Sequence, residues 1–462
     1  MMPKGKASNT SKIKSVLHDF PDEFVQNPNN ELYCNLCNCV VSCTKRFLVD
    51  SHRKTFKHQK ALSRSELQMP QTSQTFLRSS DSDFVEKVTK AFLSADIPLY
   101  KLNNKHIKNL FSDIGHSLPA ESTCRKAVLK LGSDELQRIR NAVDDKLIFL
   151  VVDESNLSST QYLNILVGAL ETPHVSFLYN CQPLSCSPNA DSIVQAIDHA
   201  VRSLGTNRNS FCLLLSDAAR YMVAAGTVLK SLYPKLFHVT CIAHLLHNCA
   251  MKVKSYFQDV DQLIARIKAA TVKNKTRQAQ FAAIGYPPQP VITRWGSWIN
   301  AALYYANNLP EVKAIVESFE GSGLLVNQAK GSLQTPGLAT QLLKIKDQYE
   351  CLVKLIDTME SAKFTIKEAV QAIQALDFGE DTCSISSYIK KRIQSNDISK
   401  IMSMARSDIS PAVYSLLQHS QPTSASVERS FSMLKKLLAK DRNFSVQNVK
   451  HYMILHYNSC MW

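Results

Sequence analysis

From residue 146 onward the sequence alternates apolar runs with amphipathic stretches, and the order of these segments fits few folds. Short apolar runs bounded by polar residues are typical of buried strands, whereas apolar residues three and four apart indicate helices. On these criteria three strands come first, at residues 146–152, 162–170 and 174–180. A helix, a strand, a helix, a strand and a final helix follow, the first four at residues 190–203, 211–215, 218–232 and 237–240.

This order is that of a ribonuclease H-like α/β core, which is the fold class that the sequence predicts for the middle of the chain. Composition and apolar spacing divide the remainder, where a helical pattern is interrupted by a loose stretch at residues 320–337. The predicted blocks are a basic segment at 1–63, a Ser, Gln and Thr-rich linker at 64–80, a small helical domain at 81–140, the first part of the core at 141–300, a helical insertion at 301–421 and a C-terminal segment at 422–462.

The basic segment contains a metal-ligand spacing. Cys34 and Cys37 are separated by two residues, His52 and His58 by five, and fourteen residues lie between the pairs. A knuckle of two strands can supply both thiolates, and a following helix can present both imidazoles, which completes the tetrahedral shell of zinc. The prediction is a structural Zn²⁺ site, with Cys39 and Cys43 as bystanders; chance co-occurrence in a cysteine-rich stretch is the alternative.

Basic residues surround the second half of this spacing, so the segment offers a cationic face to a polyanion. The chain as a whole carries 54 Lys and Arg against 39 Asp and Glu, a net charge of +15, which favours a nucleic-acid partner, with double-stranded DNA first. The predicted phosphate contacts are Lys45, Arg46, Arg53, Lys54, Lys57 and Lys60.

Two aspartates follow predicted strands of the core. Asp153 comes after the apolar run at 147–152, and Asp217 follows the run at 211–215 by two positions. If the strands are neighbours, both carboxylates emerge at one edge of the sheet, where they could share divalent ions that activate a nucleophile for phosphodiester chemistry. The alternative is that each aspartate caps the next helix.

Two stretches of the chain resemble known families. The residues LYCNLC at 32–37, the histidine pair and AFLSADIPL at 91–99 resemble the CGG triplet repeat-binding protein family, over about residues 30 to 130. That family is nuclear, binds DNA, regulates transcription and derives from hAT-type transposons. The segment QPTSASVERSFS at 421–432 resembles the signature that opens the C-terminal dimerisation region of hAT transposases, and SDAA at 216–219 and CIAH at 241–244 precede it in the expected order.

The hAT resemblance implies roles for individual residues. Asp153, Asp217 and Glu428 would form a catalytic triad that binds Mg²⁺ or Mn²⁺, and residues 422–462 would complete the core and drive dimerisation or higher self-association. The implied neighbourhood of the active site is Cys241, His244, Arg294 and Trp295. From the residues alone, a structural role for these four is an open alternative, and a carboxylate at Glu428 is also favoured by a helix N-terminus.

Other classes of function are excluded or disfavoured. Apolar runs are far shorter than the roughly 18 residues of a spanning helix, so no membrane partner is expected, and residues 1–10 lack the apolar region of a secretion signal. Thirteen cysteines fit a reducing compartment, and the resemblance indicates the nucleus. The remaining hypotheses are an hAT-type enzyme that cuts and joins DNA, a domesticated and catalytically inactive regulator of transcription by RNA polymerase II, and, third, a nuclease or RNA-processing enzyme on the same core.

Overall fold

A computed structural model describes residues 9–21, 23–27, 30–37, 39–60, 77–157, 159–184, 187–291, 295–321, 323–360, 364–378, 384–403, 410–438 and 446–459. The chain divides into two compact units, Met1–Phe84 and Val85–Trp462. Most of the predicted linker lies outside the described residues, and its last positions, 77–80, belong to a helix. No helix in the described part of the chain has the length and apolar character needed to cross a membrane.

The first unit is a small α/β arrangement. Helix α1 (Asn9–Asp19) precedes a three-stranded antiparallel sheet, β1 (Phe24–Gln26), β2 (Leu32–Cys34) and β3 (Cys39–Val40), and α2 (Arg46–Arg53) follows. A second helical stretch occupies residues 56–60. The buried apolar residues are few, and the cysteines are among them: Ile13, Val16, Phe24, Leu32, Cys34, Cys37, Val41, Cys43 and Val49.

A five-stranded mixed sheet organises the second unit. Its strands are β4 (Ile148–Leu157), β5 (Thr160–Ala169), β6 (Phe177–Pro183), β7 (Phe211–Ser216) and β8 (Phe237–Thr240), in the order β6-β5-β4-β7-β8. The pairs β4–β5 and β5–β6 are antiparallel, whereas β4–β7 and β7–β8 are parallel. All five predicted strands are thus confirmed as strands, and the mixed α/β class is confirmed with them.

Helices cover both faces of this sheet, because alternate residues of a strand point to opposite faces. Helices α6 (Ala190–Leu204) and α7 (Arg220–Leu232) bury the face that carries Leu150 and Val152. Two C-terminal helices, α19 (Ala425–Leu437) and α20 (Val446–Asn458), pack on strands β4 to β6. Asn164 Nδ2 donates to Ser430 Oγ at 2.7 Å, and Asn458 Oδ1 accepts from the Leu178 backbone at 2.9 Å.

The remaining described elements are helical. A helix, Leu324–Leu333, occupies most of the stretch predicted to be loose, and it buries Val326, Ala329 and Leu333. Short 3-10 helices lie at Leu99–Asn103 and Arg208–Ser210. The α-helices are α3 (Leu77–Ser94), α4 (Lys105–Asp113), α5 (Glu121–Val143), α8 (Ile242–Tyr256), α9 (Gln258–Thr271), α10 (Lys275–Ala279), α11 (Ser297–Asn307), α12 (Leu309–Glu317), α13 (Leu324–Leu333), α14 (Leu338–Met359), α15 (Ile366–Gln374), α16 (Ser384–Gln394), α17 (Asp397–Ser403) and α18 (Pro411–His419).

Candidate metal centres

The four predicted zinc ligands of the first unit lie together. Their ligand atoms are all within 4.8 Å of one another, and both Cys34 Sγ and Cys37 Sγ lie near His58 Nδ1, at 3.4 and 3.5 Å. Cys34 ends β2, Cys37 lies in the turn after it, His52 is on α2 and His58 is in the stretch at 56–60. The turn is compact because the Cys37 backbone N–H donates to Cys34 Sγ at 3.4 Å.

The chemistry of this cluster fits zinc. His52 Nε2 is buried and has no hydrogen-bond partner among the described residues, which is costly unless an electron-pair acceptor faces it. Burial and the neighbouring Cys34 thiol raise the pKa of Cys37 to about 11, so a divalent cation is needed to hold both sulfurs as thiolates. Two thiolates and two imidazoles are the donor set of tetrahedral structural zinc. The four residues therefore form a candidate zinc site.

Glu23 also belongs to this site, although no sequence pattern predicts it. Its Oε2 lies 3.0 Å from His58 Nε2, on the side of the ring opposite the cysteines, and His58 is fully buried. The same carboxylate accepts two hydrogen bonds from Arg53, at 2.7 and 2.8 Å. Burial opposes ionisation of Glu23, but the hydrogen bonds from Arg53 and His58 outweigh it and lower the pKa. Glu23 and His58 are 35 residues apart, so no local spacing could have indicated the pair.

The bystander cysteines are near this cluster without belonging to it. Cys39 pairs with Cys34 across the β2–β3 ladder and is half-buried. Cys43 is buried in the small apolar core. Neither is among the four residues whose ligand atoms converge.

The basic residues predicted to contact phosphate differ in what surrounds them. Arg46 forms an ion pair with Asp19 at 2.7 Å, and Arg53 is held by Glu23 and lies 3.7 Å over the Phe20 ring. The other four are exposed, namely Lys45, Lys54, Lys57 and Lys60. Two aromatic side chains on the same stretch are also exposed, Phe47 by 72% and Phe56 by 82%. Cationic and aromatic groups thus face solvent together, and the two arginines are engaged within the unit.

A second cluster lies at the edge of the large sheet. Asp153 and Asp217 are brought near one another because β4 and β7 are parallel neighbours, with Val151 opposite Leu215. Glu428 enters from the first turn of α19. The ligand atoms of Asp153, Glu428 and His244 all lie within 4.8 Å, a group that does not include Asp217. Two residues of the predicted triad, Asp153 and Glu428, therefore converge. The third residue that converges with them is His244, which is predicted only to lie near the active site.

Electrostatics tie these groups to one another. Burial raises the pKa of Asp153 well above its usual value, and the charge and hydrogen bond of Glu428, then the charge of Asp217, raise it further. Burial also raises the pKa of Asp217, although its Oδ1 accepts from the Ala219 backbone at 3.2 Å. This contact precedes α7, whose N-cap residue is Ala219 and whose first turn has no side-chain cap, so Asp217 does not take the alternative role of helix cap. Adjacent carboxylates cannot all ionise without a cation between them.

His244, in the first turn of α8, is the positive group next to these carboxylates. Its Nε2 lies 3.5 Å from Glu428 Oε1 and its Nδ1 lies 3.4 Å from Ser424 Oγ. Burial would lower the pKa of His244, but the hydrogen bond and charge of Cys241, with the charges of Glu428 and Asp217, raise it to about 9. Cys241 itself is buried, and its pKa is lowered despite burial by His244 and by the Ser424 N–H, which donates to Sγ at 3.2 Å.

Trp295 borders the same cluster. Its ring centroid is 5.0 Å from that of His244, with the two planes inclined at 67°. Arg294, the remaining residue predicted for this neighbourhood, lies outside the described residues. Cys241, His244 and Trp295 are thus in one chain of contacts, Cys241 to His244 to Trp295.

A tyrosine and a glutamate next to the acids were not singled out from the sequence. Tyr221 donates to Glu154 Oε1 at 2.7 Å, and Glu154 Oε2 is buried without a partner among the described residues. Glu154 is the neighbour of Asp153 on β4, so its side chain lies on the other face of the strand. This pair supports the strand end from the side of α7.

No model of a known protein family matches the chain. A search among curated proteins likewise finds no match.

Proposed function

We propose that the chain is a nuclear, zinc-finger DNA-binding protein of hAT transposase origin that self-associates, and that its second unit is a ribonuclease H-like core capable of metal-dependent DNA cleavage and strand transfer. The observation that carries the proposal is the convergence of Asp153 and Glu428 on one point beside Asp217. A convergence of acids from distant parts of a chain costs free energy unless a cation offsets their repulsion.

Divalent metal ions such as Mg²⁺ or Mn²⁺ would supply activation of a water or 3′-hydroxyl and stabilisation of the leaving oxygen. The role of this chain's residues is to hold those ions: Asp153 from the sheet, Glu428 from α19 and Asp217 after β7. Burial of Asp153 excludes bulk water on the protein side and strengthens its interaction with a cation. Trp295, half-buried next to His244, offers an aromatic ring on which a base could stack.

DNA binding is assigned to the first unit. Zn²⁺, held by Cys34, Cys37, His52 and His58, would fix α2 and the stretch at 56–60 against the strands. The four exposed lysines and the two exposed phenylalanines then offer phosphate and base contacts. Arg46 and Arg53 have a different role in this proposal, because their guanidinium groups are engaged by Asp19 and Glu23.

One observation favours the alternative, a domesticated regulator of transcription without catalytic activity. Asp153 is only 5% exposed, and the His244 imidazole, 3.5 Å from Glu428, already supplies a positive partner for the acids. In that case the histidine, without a metal ion, offsets the charge of the acids and preserves the fold. The alternative keeps the same DNA-binding first unit and the same self-association.

The test begins with duplexes selected from a random pool by the zinc-loaded protein. They are incubated with Mg²⁺ or Mn²⁺ and one of four proteins: wild type, Asp217→Asn, Glu428→Gln or the matched control Asp134→Asn, which changes an exposed aspartate on α5. Metal-dependent nicking that both site variants lose and the control retains is the result expected of an enzyme. Tight binding without nicking in any of them favours the domesticated regulator.

A further inference from the structure

The cluster of Asp153, Glu428 and His244 has the dimensions of a coordination shell. Ligand atoms bound to one ion at about 2.0 to 2.2 Å stand roughly 3 to 4 Å apart, and the three side chains here approach within 4.8 Å before any ion draws them together. His244 Nε2 and Glu428 Oε1 are already at 3.5 Å. Asp153 is buried with its carboxylate facing Glu428, so the group cannot turn out to solvent.

The other side of the His244 ring is fixed by groups that do not face the acids. Nδ1 lies 3.4 Å from Ser424 Oγ, and the imidazole shares a hydrogen bond with the Cys241 sulfur. Cys241 is held in turn by two backbone contacts, Ser424 N–H to its Sγ at 3.2 Å and its own N–H to Ser216 O at 2.7 Å. A hydrogen bond at one ring nitrogen that leaves the other directed at an ion is how metal-binding histidines are oriented.

We propose that His244, on releasing its Nε2 proton to solvent, is itself a metal ligand, so that Asp153, Glu428 and His244 form a mixed nitrogen and oxygen site that prefers Mn²⁺ to Mg²⁺. The inference rests on the proposed metal-dependent function and adds to it the identity of the ion. Mg²⁺ is a hard ion that takes oxygen ligands and keeps much of its water, whereas an imidazole nitrogen is a better ligand for the transition metals. Cys241 and Ser424 are positioning residues for this ligand.

The first measurement is spectroscopic and uses the full chain loaded with one equivalent of zinc, so that the finger ligands are occupied. Mn²⁺ is added, and pulsed electron paramagnetic resonance detects coupling between the manganese electrons and a directly bound nitrogen. Wild type should show that coupling, and His244→Gln should lose it. His247→Gln, one turn along α8, is the matched control and should retain it.

The second measurement is calorimetric titration of the same proteins with Mn²⁺ alone and with Mg²⁺ alone. His244→Gln should weaken Mn²⁺ binding by at least about tenfold and Mg²⁺ binding much less. Cys241→Ala should weaken Mn²⁺ binding by about tenfold, because the His244 ring loses the hydrogen bond that orients it. Glu428→Gln should weaken the binding of both ions. Thermal unfolding of each variant identifies any that fail to fold, and His244→Asn then replaces His244→Gln.

Three results overturn the inference: no Mn²⁺ binding by wild type, no nitrogen coupling in wild type, or coupling that persists in His244→Gln. Failure of the proposed function looks different, because a protein with nitrogen-coupled Mn²⁺ that never nicks DNA has the metal site and lacks the enzyme activity.

Discussion

At the scale of single residues, Glu23 controls how His58 can meet a metal. The carboxylate accepts a hydrogen bond from one ring nitrogen of His58 and leaves the other directed at the cysteines. Glu23→Gln keeps a hydrogen-bonding side chain but loses the charge, and Glu23→Ala loses both. We expect zinc affinity, measured by competition with a chromogenic chelator, to fall about 10- to 100-fold in Glu23→Ala and less in Glu23→Gln. Equal affinity in Glu23→Ala and in the exposed variant Glu31→Gln would contradict this role.

His238 gives a pH dependence to the second unit. It is half-buried beneath α7, with Nε2 2.9 Å from Ser216 Oγ, and the loss of solvent around the ring lowers its pKa to about 4. In the unfolded chain the pKa is near 6.5, so the unfolded state takes up a proton that the fold excludes. Stability is therefore full above pH 6.5 and falls as the pH drops toward 4, by about 3 kcal/mol in all.

Urea unfolding followed by tryptophan fluorescence at pH 7.5 and pH 5 measures this effect. His238→Gln should flatten the difference in the free energy of unfolding between the two pH values, whereas His106→Gln, an exposed histidine, should preserve it. Equal pH dependence in both variants would remove His238 as the cause.

At the scale of elements, the packing of α7 on β8 depends on a glycine. A Cβ at Gly226 would lie 2.0 Å from His238 Nδ1, so the ring would have to move and give up the contact of its Nε2 with Ser216 Oγ at 2.9 Å. Gly226→Ala should therefore destabilise the second unit by about 1 to 3 kcal/mol through overpacking, despite the better helix propensity of alanine. Gly331→Ala, in α13, is the matched control, since a Cβ there meets nothing within 4 Å.

Relative to wild type, the two glycine substitutions should change the free energy of unfolding in opposite directions. Gly331→Ala is expected to stabilise by up to about 1 kcal/mol, because alanine loses less backbone entropy than glycine in a helix. Destabilisation of both variants to the same extent would show that the contact with His238 is not what limits position 226.

The elements that the sequence predicts well are those with continuous apolar runs. The run at 147–152 predicts β4, but the strand extends to Leu157, because its polar end is paired with β5 down to Leu157 opposite Thr160. A paired ladder satisfies the backbone whatever the side chains are, so polarity does not end the strand. The helix at Leu324–Leu333 is not predicted by apolar spacing. Only three of its apolar residues are buried, and its glycine and polar residues make the helical period weak.

The residues of the candidate sites also differ in how far the sequence predicts that they meet. Cys34, Cys37, His52 and His58 are close in sequence, so their spacing predicts that they meet, and the cluster confirms it. Glu23 and the closeness of His244 to Glu428 depend on contacts between distant segments, and no spacing encodes them. The hAT resemblance implies that His244 lies near the active site, but it gives the role of metal ligand to Asp217. The predicted domain boundaries, DNA contacts and cellular location stay predictions.

At the scale of the whole molecule, the two units differ in what stabilises them. The first unit has a small buried core that includes three cysteines, whereas the second surrounds its sheet with helices. Removing zinc with a strong chelator should therefore unfold the first unit and leave the second folded. Hydrogen exchange with mass spectrometry should show faster amide exchange in residues 9–60 and unchanged exchange in β4 to β6. Faster exchange in both units after chelation would contradict this division.

The hydrogen bond between Asn164 and Ser430 joins residues that are 266 positions apart. A ribosome adds about 5 to 20 residues per second, so synthesis of the chain from Asn164 to Ser430 takes roughly 10 to 50 s. The helix that carries Glu428 is therefore made well after the first strands of the sheet. During that interval the nascent chain carries Asp153 and Asp217 without their partner. Any capacity to cut DNA would thus be withheld from unfinished chains, and the uncovered strands would be a target for chaperones until synthesis of α19 and α20 is complete.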